Sequence, residues 1–469
     1  MVTGAITSPA ESLRLSLFRE NLSREELRAL KGELWRLAWP VFIAQGMSQA
    51  VVLASRVMVN SLGEEVLAAV GVGQMIFFAL IVLLGAVGMG VTALVARHVG
   101  AGEREQASEV LKQSLIVGSL FSGVIAVAGI LTARPLLRAL GSAPAVVEYG
   151  AQYIITLYFG LIPMALGFFI GAGLRGAGDT RTPMVISIFM NVINVLACYT
   201  LVFGKFGFPP MGVTGAALAM NLAFILATVV LFLLFPLKLS VLPMRLRGWK
   251  IRREVAWRIF RIGTPTAAEW ELLQVGLVLY IAIVNHYGTS TTAAYIIGMT
   301  VLSFAQLPGF GLQAAATTLV GQSLGANNIP RAEATFRQSL RWSLSWMTLL
   351  GVATFFLSGW LVRTLFPNDN PETYRLATLY LQLIAVTQPL MGIAFAISGG
   401  LRGAGDTTWP LIGQATGMYV GRIGLSFVAM RYFNAPVGLI WAMMFPDFII
   451  RIVIVTSRLL SGKWKIIRV

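Results

Sequence analysis

Residues Gly173 to Thr180 read Gly-Leu-Arg-Gly-Ala-Gly-Asp-Thr, and residues Gly400 to Thr407 read the same eight in the same order. Each copy is followed three residues later by a proline, Pro183 or Pro410. The copies lie 227 residues apart in a chain of 469, a separation that calls for a search for duplication on either side. The flanks carry it. Thr92 to Leu115 aligns without a gap on Thr317 to Leu340 at an offset of 225, sharing Thr-x-Leu-Val, Gly-Ala and a closing Gln-Ser-Leu. At that offset Met58-Val-Asn60…Gly63…Ala68-Ala69…Gly73 falls on Ile283-Val-Asn285…Gly288…Ala293-Ala294…Gly298, and Pro40 falls on Pro265. The chain is two homologous halves in tandem, so its fold must be one that can be built twice.

The solvent that this fold meets follows from composition. Hydrophobic residues make up 57% of the chain and charged ones only 12%, arranged as long apolar runs between short basic loops. That is the pattern of several transmembrane helices. The net charge of +16 does not point to nucleic acid, because the Lys and Arg residues sit at the ends of apolar runs rather than on one soluble face. A single cysteine, Cys198, excludes a disulfide framework or a multi-cysteine metal site, and with His98 and His286 the only histidines, no metal centre is expected.

Residues 1–33 hold no apolar core long enough for a signal peptide. Ser23-Arg-Glu-Glu26 fits a capping box, followed by Leu27, Leu30 and Leu34 at helical spacing, which predicts an amphipathic helix on the membrane surface. Twelve hydrophobic segments follow, at 34–60, 66–96, 106–132, 146–172, 182–204, 212–237, 257–286, 291–322, 333–361, 373–399, 408–431 and 436–458. The expected class is therefore an all-α integral membrane protein of two six-helix lobes, 34–237 and 257–460, joined by a basic linker at 238–256 and closed by a tail at 461–469. Six helices per half give the repeats the same orientation. Outside the twelve segments, the N-terminal segment, the loops after segments 2, 4, 6, 8 and 10 and the tail hold 20 Lys and Arg residues, and the opposite loops hold four. By the positive-inside rule those loops, the linker and both termini face the cytoplasm.

Within each copy of the octapeptide the glycines permit a tight reversal, Asp179 or Asp406 can cap the next helix, and Pro183 or Pro410 suits its first turn. Arg175 and Arg402 are placed to anchor at the interface or to bond free carbonyls at a helix end. A phosphate-binding reading of the glycines fails, because it needs a preceding strand where this chain has an apolar helix.

Leu-Arg-Gly-Ala-Gly-Asp-Thr in two copies, the run from Leu307 to Ala326 and Pro265-x-x-x-Glu269 together resemble the multidrug and toxic compound extrusion family over residues from about 34 to 460. The resemblance implies a two-lobed transporter whose central cavity faces the cytoplasm and the outside in turn. It also implies export of organic, often cationic, small molecules driven by inward sodium or protons, with no other cofactor. The setting implied is the inner membrane of a prokaryote, and the expected unit is a monomer. Two departures stand out. Where many members carry an Asp in the first helix, this chain has Ser55, and where one sodium-coupled subgroup has an Asp in the tenth, the stretch from Tyr374 to Ser398 holds no acid.

An acid at bilayer depth is costly and therefore a functional candidate. Glu269 and Glu271 lie in the seventh segment, two residues apart and so on nearly opposite helix faces, and Asp447 lies in the twelfth. Glu269, four residues after Pro265, is the expected ion-coupling acid, since a helical proline can free carbonyls to assist an ion. Gln274 and Gln388 are possible neutral helpers, and Asp447 has Arg451 one turn on to neutralise it. Met47, Gln49, Met164, Phe168, Trp270, Phe304, Gln306 and Met391 are candidates for the walls of a substrate cavity. Asn60 and Asn285 read as caps at outer helix ends. Arg56 and Arg422, inside apolar segments, leave room for anionic substrates unless they are paired or reach an interface.

Two other functions compete. A flippase for lipid-linked saccharides would use a related two-lobed fold but a cavity richer in Arg and Lys. A membrane-embedded enzyme would need two acids converging on one site, which the two-residue spacing of Glu269 and Glu271 on a straight helix opposes, although Glu269 with Asp447 would still be a pair; the chain also lacks any nucleophile elbow or nucleotide motif.

Overall fold

The computed structural model describes residues 22–60, 63–244, 249–366 and 370–467. Much of the N-terminal segment and Arg245 and Arg247 of the linker lie outside the described residues, as do the side chains of Arg56 and Asn60. Helices α1 (Arg24–Asn60), α2 (Glu64–Gly100), α3 (Arg104–Ala139), α4 (Pro144–Phe159), α5 (Leu161–Gly176), α6 (Arg181–Phe203) and α7 (Gly212–Leu233) build the first half. The second half comprises α8 (Arg253–Asn285), α9 (Thr289–Ala305), α10 (Leu307–Gly325), α11 (Ile329–Leu365), α12 (Pro371–Gly403), α13 (Thr408–Thr416), a π-helical turn (Gly417–Gly424), α14 (Leu425–Phe433), α15 (Val437–Ala442) and α16 (Met444–Leu460).

Among the described residues nine helices are long and apolar enough to cross a membrane, eleven when the bent pairs α4–α5 and α9–α10 each count as one span. The continuous stretch from α13 through the π turn to α14 supplies a twelfth helical rod. Both bends have local causes. Pro308 cannot donate a backbone hydrogen bond at the start of α10, where the axis turns by 43°. At Gly160 the axis turns by 52°, and Asn221 Nδ2 donates to the freed Thr156 carbonyl at 2.6 Å, so that oxygen is not left bare in an apolar setting.

The capping box forms: Glu26 Oε2 accepts from Ser23 N at 2.8 Å, and Ser23 Oγ accepts from Glu26 N at 3.2 Å. The helix it opens does not stop near residue 33 as a separate surface element; it runs unbroken as α1 to Asn60. The reason is packing. Leu30, Leu34 and Leu37 are buried against Leu312, Leu319 and Ala334, and Arg331 bonds Glu33 at 2.5 Å, so the leucine face of this stretch is core while Arg28, Gly32 and Trp35 on its other face stay exposed. The helices pack as two compact units, one of Ile43–Ala267 and one of Ala268–Val469 with the chain up to Phe42. The division thus falls inside α1 and α8, just past the matched prolines Pro40 and Pro265, rather than in the 238–256 linker. That linker is tied to its own unit by Gln113, which donates to the Lys250 carbonyl at 2.6 Å and accepts from Arg252 N at 2.8 Å.

The duplicated octapeptide folds the same way twice. The nitrogens of Asp179 and Asp406 donate back to Leu174 and Leu401 carbonyls at 2.9 and 2.8 Å, with Gly178 and Gly405 at φ of 89° and 85° where a side chain would be strained. Thr92 Oγ1 donates to the Ala172 carbonyl at 3.1 Å, and its counterpart Thr317 donates to the Gly399 carbonyl at 2.9 Å. Backbones meet here: a Cβ on Gly176 would lie 2.6 Å from the Thr92 carbonyl oxygen, and one on Gly403 only 2.2 Å from that of Thr317. We expect Gly403→Ala to destabilise the protein by about 3 kcal/mol or more through overpacking, Gly176→Ala by less, and Gly32→Ala, with nothing within 4 Å, not at all. Thermal unfolding followed by size-exclusion fluorescence checks the ranking; equal Tm values would refute it.

Candidate functional site

In the second unit a cavity of about 240 Å³ is lined by Glu269, Trp270, Gln274, Gln306, Met391, Arg402, Gln414, Arg422, Phe448 and Arg451. Glu269 comes from α8, Arg402 from the end of α12, Gln414 from α13, Arg422 from the π turn, and Phe448 and Arg451 from α16. Arg402 Nη2 donates to Glu269 Oε1 at 2.6 Å, with both residues buried. The other Glu269 oxygen, Oε2, is buried and has no hydrogen-bond partner. Asp447, fully buried, is held twice: Arg451 forks onto both of its oxygens at 2.5 and 2.8 Å, and Arg422 reaches Oδ2 at 2.8 Å. Arg451 also donates to Gln414 Oε1.

Local backbone makes this crowding possible. A π turn inserts an extra residue per turn and re-aims the side chains beyond it, and Arg422 sits in that turn. Gly417 and Gly421 let α16 approach, because a Cβ on Gly417 would lie 2.5 Å from Asp447 Oδ1 and one on Gly421 2.9 Å from Asp447 Cα.

Arg402 does not anchor at an interface or cap a carbonyl; the buried acid across from it is a far better partner than a helix end. Asp179 does bond the next helix, accepting from Thr182 N at 3.0 Å, whereas Asp406 turns to Arg458 at 2.5 Å. Burial pushes the Asp406 carboxyl above its ordinary range, against the pull of Arg458. Asp447 is neutralised by Arg451 as expected, but Arg422 joins them, so Arg422 is paired. A carbonyl freed by Pro265 would be that of Arg261, eight residues or about 12 Å of helix from Glu269, too far to assist it. Gln388 is wholly buried but does not line the cavity; it packs toward α11, where a Cβ on Gly351 would come within 3.2 Å of its Cβ.

Trp270, Gln306, Met391 and Gln274 do line the cavity, while Phe304 does not. In the first unit a separate cavity of about 660 Å³ is lined by Ser48, Ser55, Gln74, Phe78, Tyr153, Met190, Asn191, Asn194 and Cys198 among others. Met47, Gln49, Met164 and Phe168 are not among its walls. Phe168 instead covers Gly88 and lies 5.9 Å from the Arg175 guanidinium. Asn285 accepts from Thr292 at 2.8 Å at a helix end. The first half has no counterpart of the Glu269–Arg402 pair, since the residue matching Glu269 is Ala44.

Apolar helices in sufficient number to cross a bilayer repeatedly, with a cavity inside each unit and ionised groups buried in one of them, define a multi-pass membrane transporter. The MatE family model matches residues 40–200 and 265–428, once in each half, and the chain belongs to that family. Its members are transporters and not enzymes. The chain is 30% identical over 460 residues to a probable multidrug resistance protein NorM of Thermotoga maritima, covering 97% of both. It is 25% identical to an uncharacterized transporter, YisQ, of Bacillus subtilis over 92% of this chain and 94% of that one. Among solved structures it superposes with a TM-score of 0.87 on a MATE in complex with MaL6, at 20% identity and covering 97% and 99% of the two chains. A MOP superfamily transporter from Pyrococcus furiosus, described as having a binding pocket of reversed polarity, matches with a TM-score of 0.86 at 20% identity, covering 92% and 96%. The family match makes the chain a MATE-family transporter, and the solved structures share its fold.

Proposed function

We propose that this protein is a proton-driven exporter of organic, cationic, drug-like compounds, and that Glu269 carries the coupling proton. The carrying observation is the unequal state of the two buried acids. Asp447 is held by two guanidiniums through both of its oxygens, so a proton there takes the counter-charge from both. Glu269 has one arginine and a free oxygen, Oε2, that can take a proton while Oε1 is still bonded to Arg402. Sodium is the poorer fit, because an ion on this carboxylate would sit beside the Arg402 charge with little water between to screen it. The first unit's cavity, with amides, hydroxyls and apolar walls but no charged side chain among its lining residues, suits the compound carried out.

The two halves then close alternately on either side of the membrane, with both termini in the cytoplasm, as the 20-to-4 distribution of basic residues between the loops suggests. The names of the relatives support drug export over the flippase reading. Efflux of a cationic dye from proteoliposomes under an imposed pH gradient, with sodium absent, tests the proposal. Export driven by a sodium gradient alone would overturn the proton assignment, and a dye gradient unaffected by either would overturn the exporter.

A further inference from the structure

We infer that the cavity in the second unit is an anion site, which binds a monovalent carboxylate or similar oxyanion carried on an apolar body, together with the coupling proton. The charge count points there. Three guanidiniums, Arg402, Arg422 and Arg451, share two carboxylates, Glu269 and Asp447, which leaves one positive charge in excess. Donors outnumber acceptors as well. Each guanidinium carries five N–H groups, and Nε of Arg402 and Nε of Arg422 are buried with no acceptor. Gln414 is oriented by Arg451, which donates to its Oε1, so its Nε2 is a further donor, buried and without a partner. A ligand with two or more acceptor oxygens and one negative charge fills this deficit. The aromatic and aliphatic remainder of the wall, including Trp270, Phe310, Phe395 and Phe448, suits an apolar body.

Proton and anion reinforce one another here. A proton on Glu269 removes the carboxylate that competes for Arg402 and raises the excess charge around the cavity from one to two. The charged groups facing Glu269 are Arg402 on α12, Arg422 on the π turn, and Asp447 and Arg451 on α16; α9 and α10 bring only uncharged side chains to the cavity. Binding of the anion therefore strengthens as pH falls. A cation, by contrast, competes with the proton and with Arg402. The two ligand charges thus couple to the proton with opposite sign, which rests on the reading of Glu269 as proton acceptor.

The experiment is equilibrium calorimetry on the full chain in detergent, with 2-naphthoate and 2-naphthylmethylammonium as matched probes. Naphthoate is expected to bind, more tightly at pH 6 than at pH 8, and the ammonium is not expected to displace it. Arg422→Gln is expected to weaken naphthoate by about tenfold or more. Asp447 keeps its fork from Arg451 in that variant. Glu269→Gln is expected to tighten naphthoate at pH 8 and flatten the pH dependence, a gain that a folding defect does not produce. Tighter binding of the ammonium, naphthoate affinity that is unchanged by Arg422→Gln, or no naphthoate binding in a preparation that still exports dye would overturn the anion site. Naphthoate binding in a protein that shows no pH-driven export would support the site and overturn the exporter reading instead.

Discussion

Glu269→Gln is expected to abolish pH-driven dye efflux in proteoliposomes. The variant also loses stability, because removing one partner of a buried ion pair leaves Arg402 charged and unpaired at a cost of about 3–5 kcal/mol. The two effects separate in the double variant Glu269→Gln with Arg402→Gln, which removes both charges. Its Tm is expected to recover most of the loss while efflux stays absent, since nothing is left at that place to take up the proton. Efflux restored along with stability would show that Glu269 is only structural. Glu271→Gln, one helix face away, is expected to keep transport, as the Glu271 side chain does not line the cavity.

Asp447→Asn is expected to be the more damaging change to the fold. One buried carboxylate there satisfies two guanidiniums through three contacts. An Asn retains one acceptor oxygen but no charge, so both Arg422 and Arg451 lose their counter-ion, and a loss at or above about 3–5 kcal/mol follows. Little folded protein should be recovered from detergent on size exclusion. Adding Arg422→Gln to this variant returns the local charge excess to its original value, and the yield of monodisperse protein is expected to rise. Should Asp447→Asn fold normally and fail only in transport while Glu269→Gln exports at the wild-type rate, Asp447 is the coupling acid.

The relation between the two acids was partly visible in the chain. Apolar burial made any Glu or Asp in a span conspicuous, and Arg451 one turn after Asp447 is a local pair that spacing alone reveals. Arg402 and Arg422 were not assignable to partners, because each pairs with a residue on another helix, 133 positions away from Glu269 and 25 from Asp447. One signal was present. The duplication keeps Arg175 and Arg402 but sets Ala44 opposite Glu269, so only the second arginine has an acid at the matching place.

By itself the sequence determined what repeats and what is apolar: two homologous halves, twelve helical rods, the capping box at Ser23, and the glycines of the octapeptide, whose positive φ and close approaches are local demands of the backbone. Hydropathy and helical periodicity act over a few residues, so they can be read along a line. Tertiary structure alone decided that the helix opened at Ser23 runs on through residue 60 and buries its leucines, that the compact units divide inside α1 and α8, and that a π turn carries Arg422 to Asp447. Those outcomes depend on which helix lies against which, and a side chain in an apolar interior takes whichever oppositely charged partner packing brings within hydrogen-bond reach, however far away it lies in the chain.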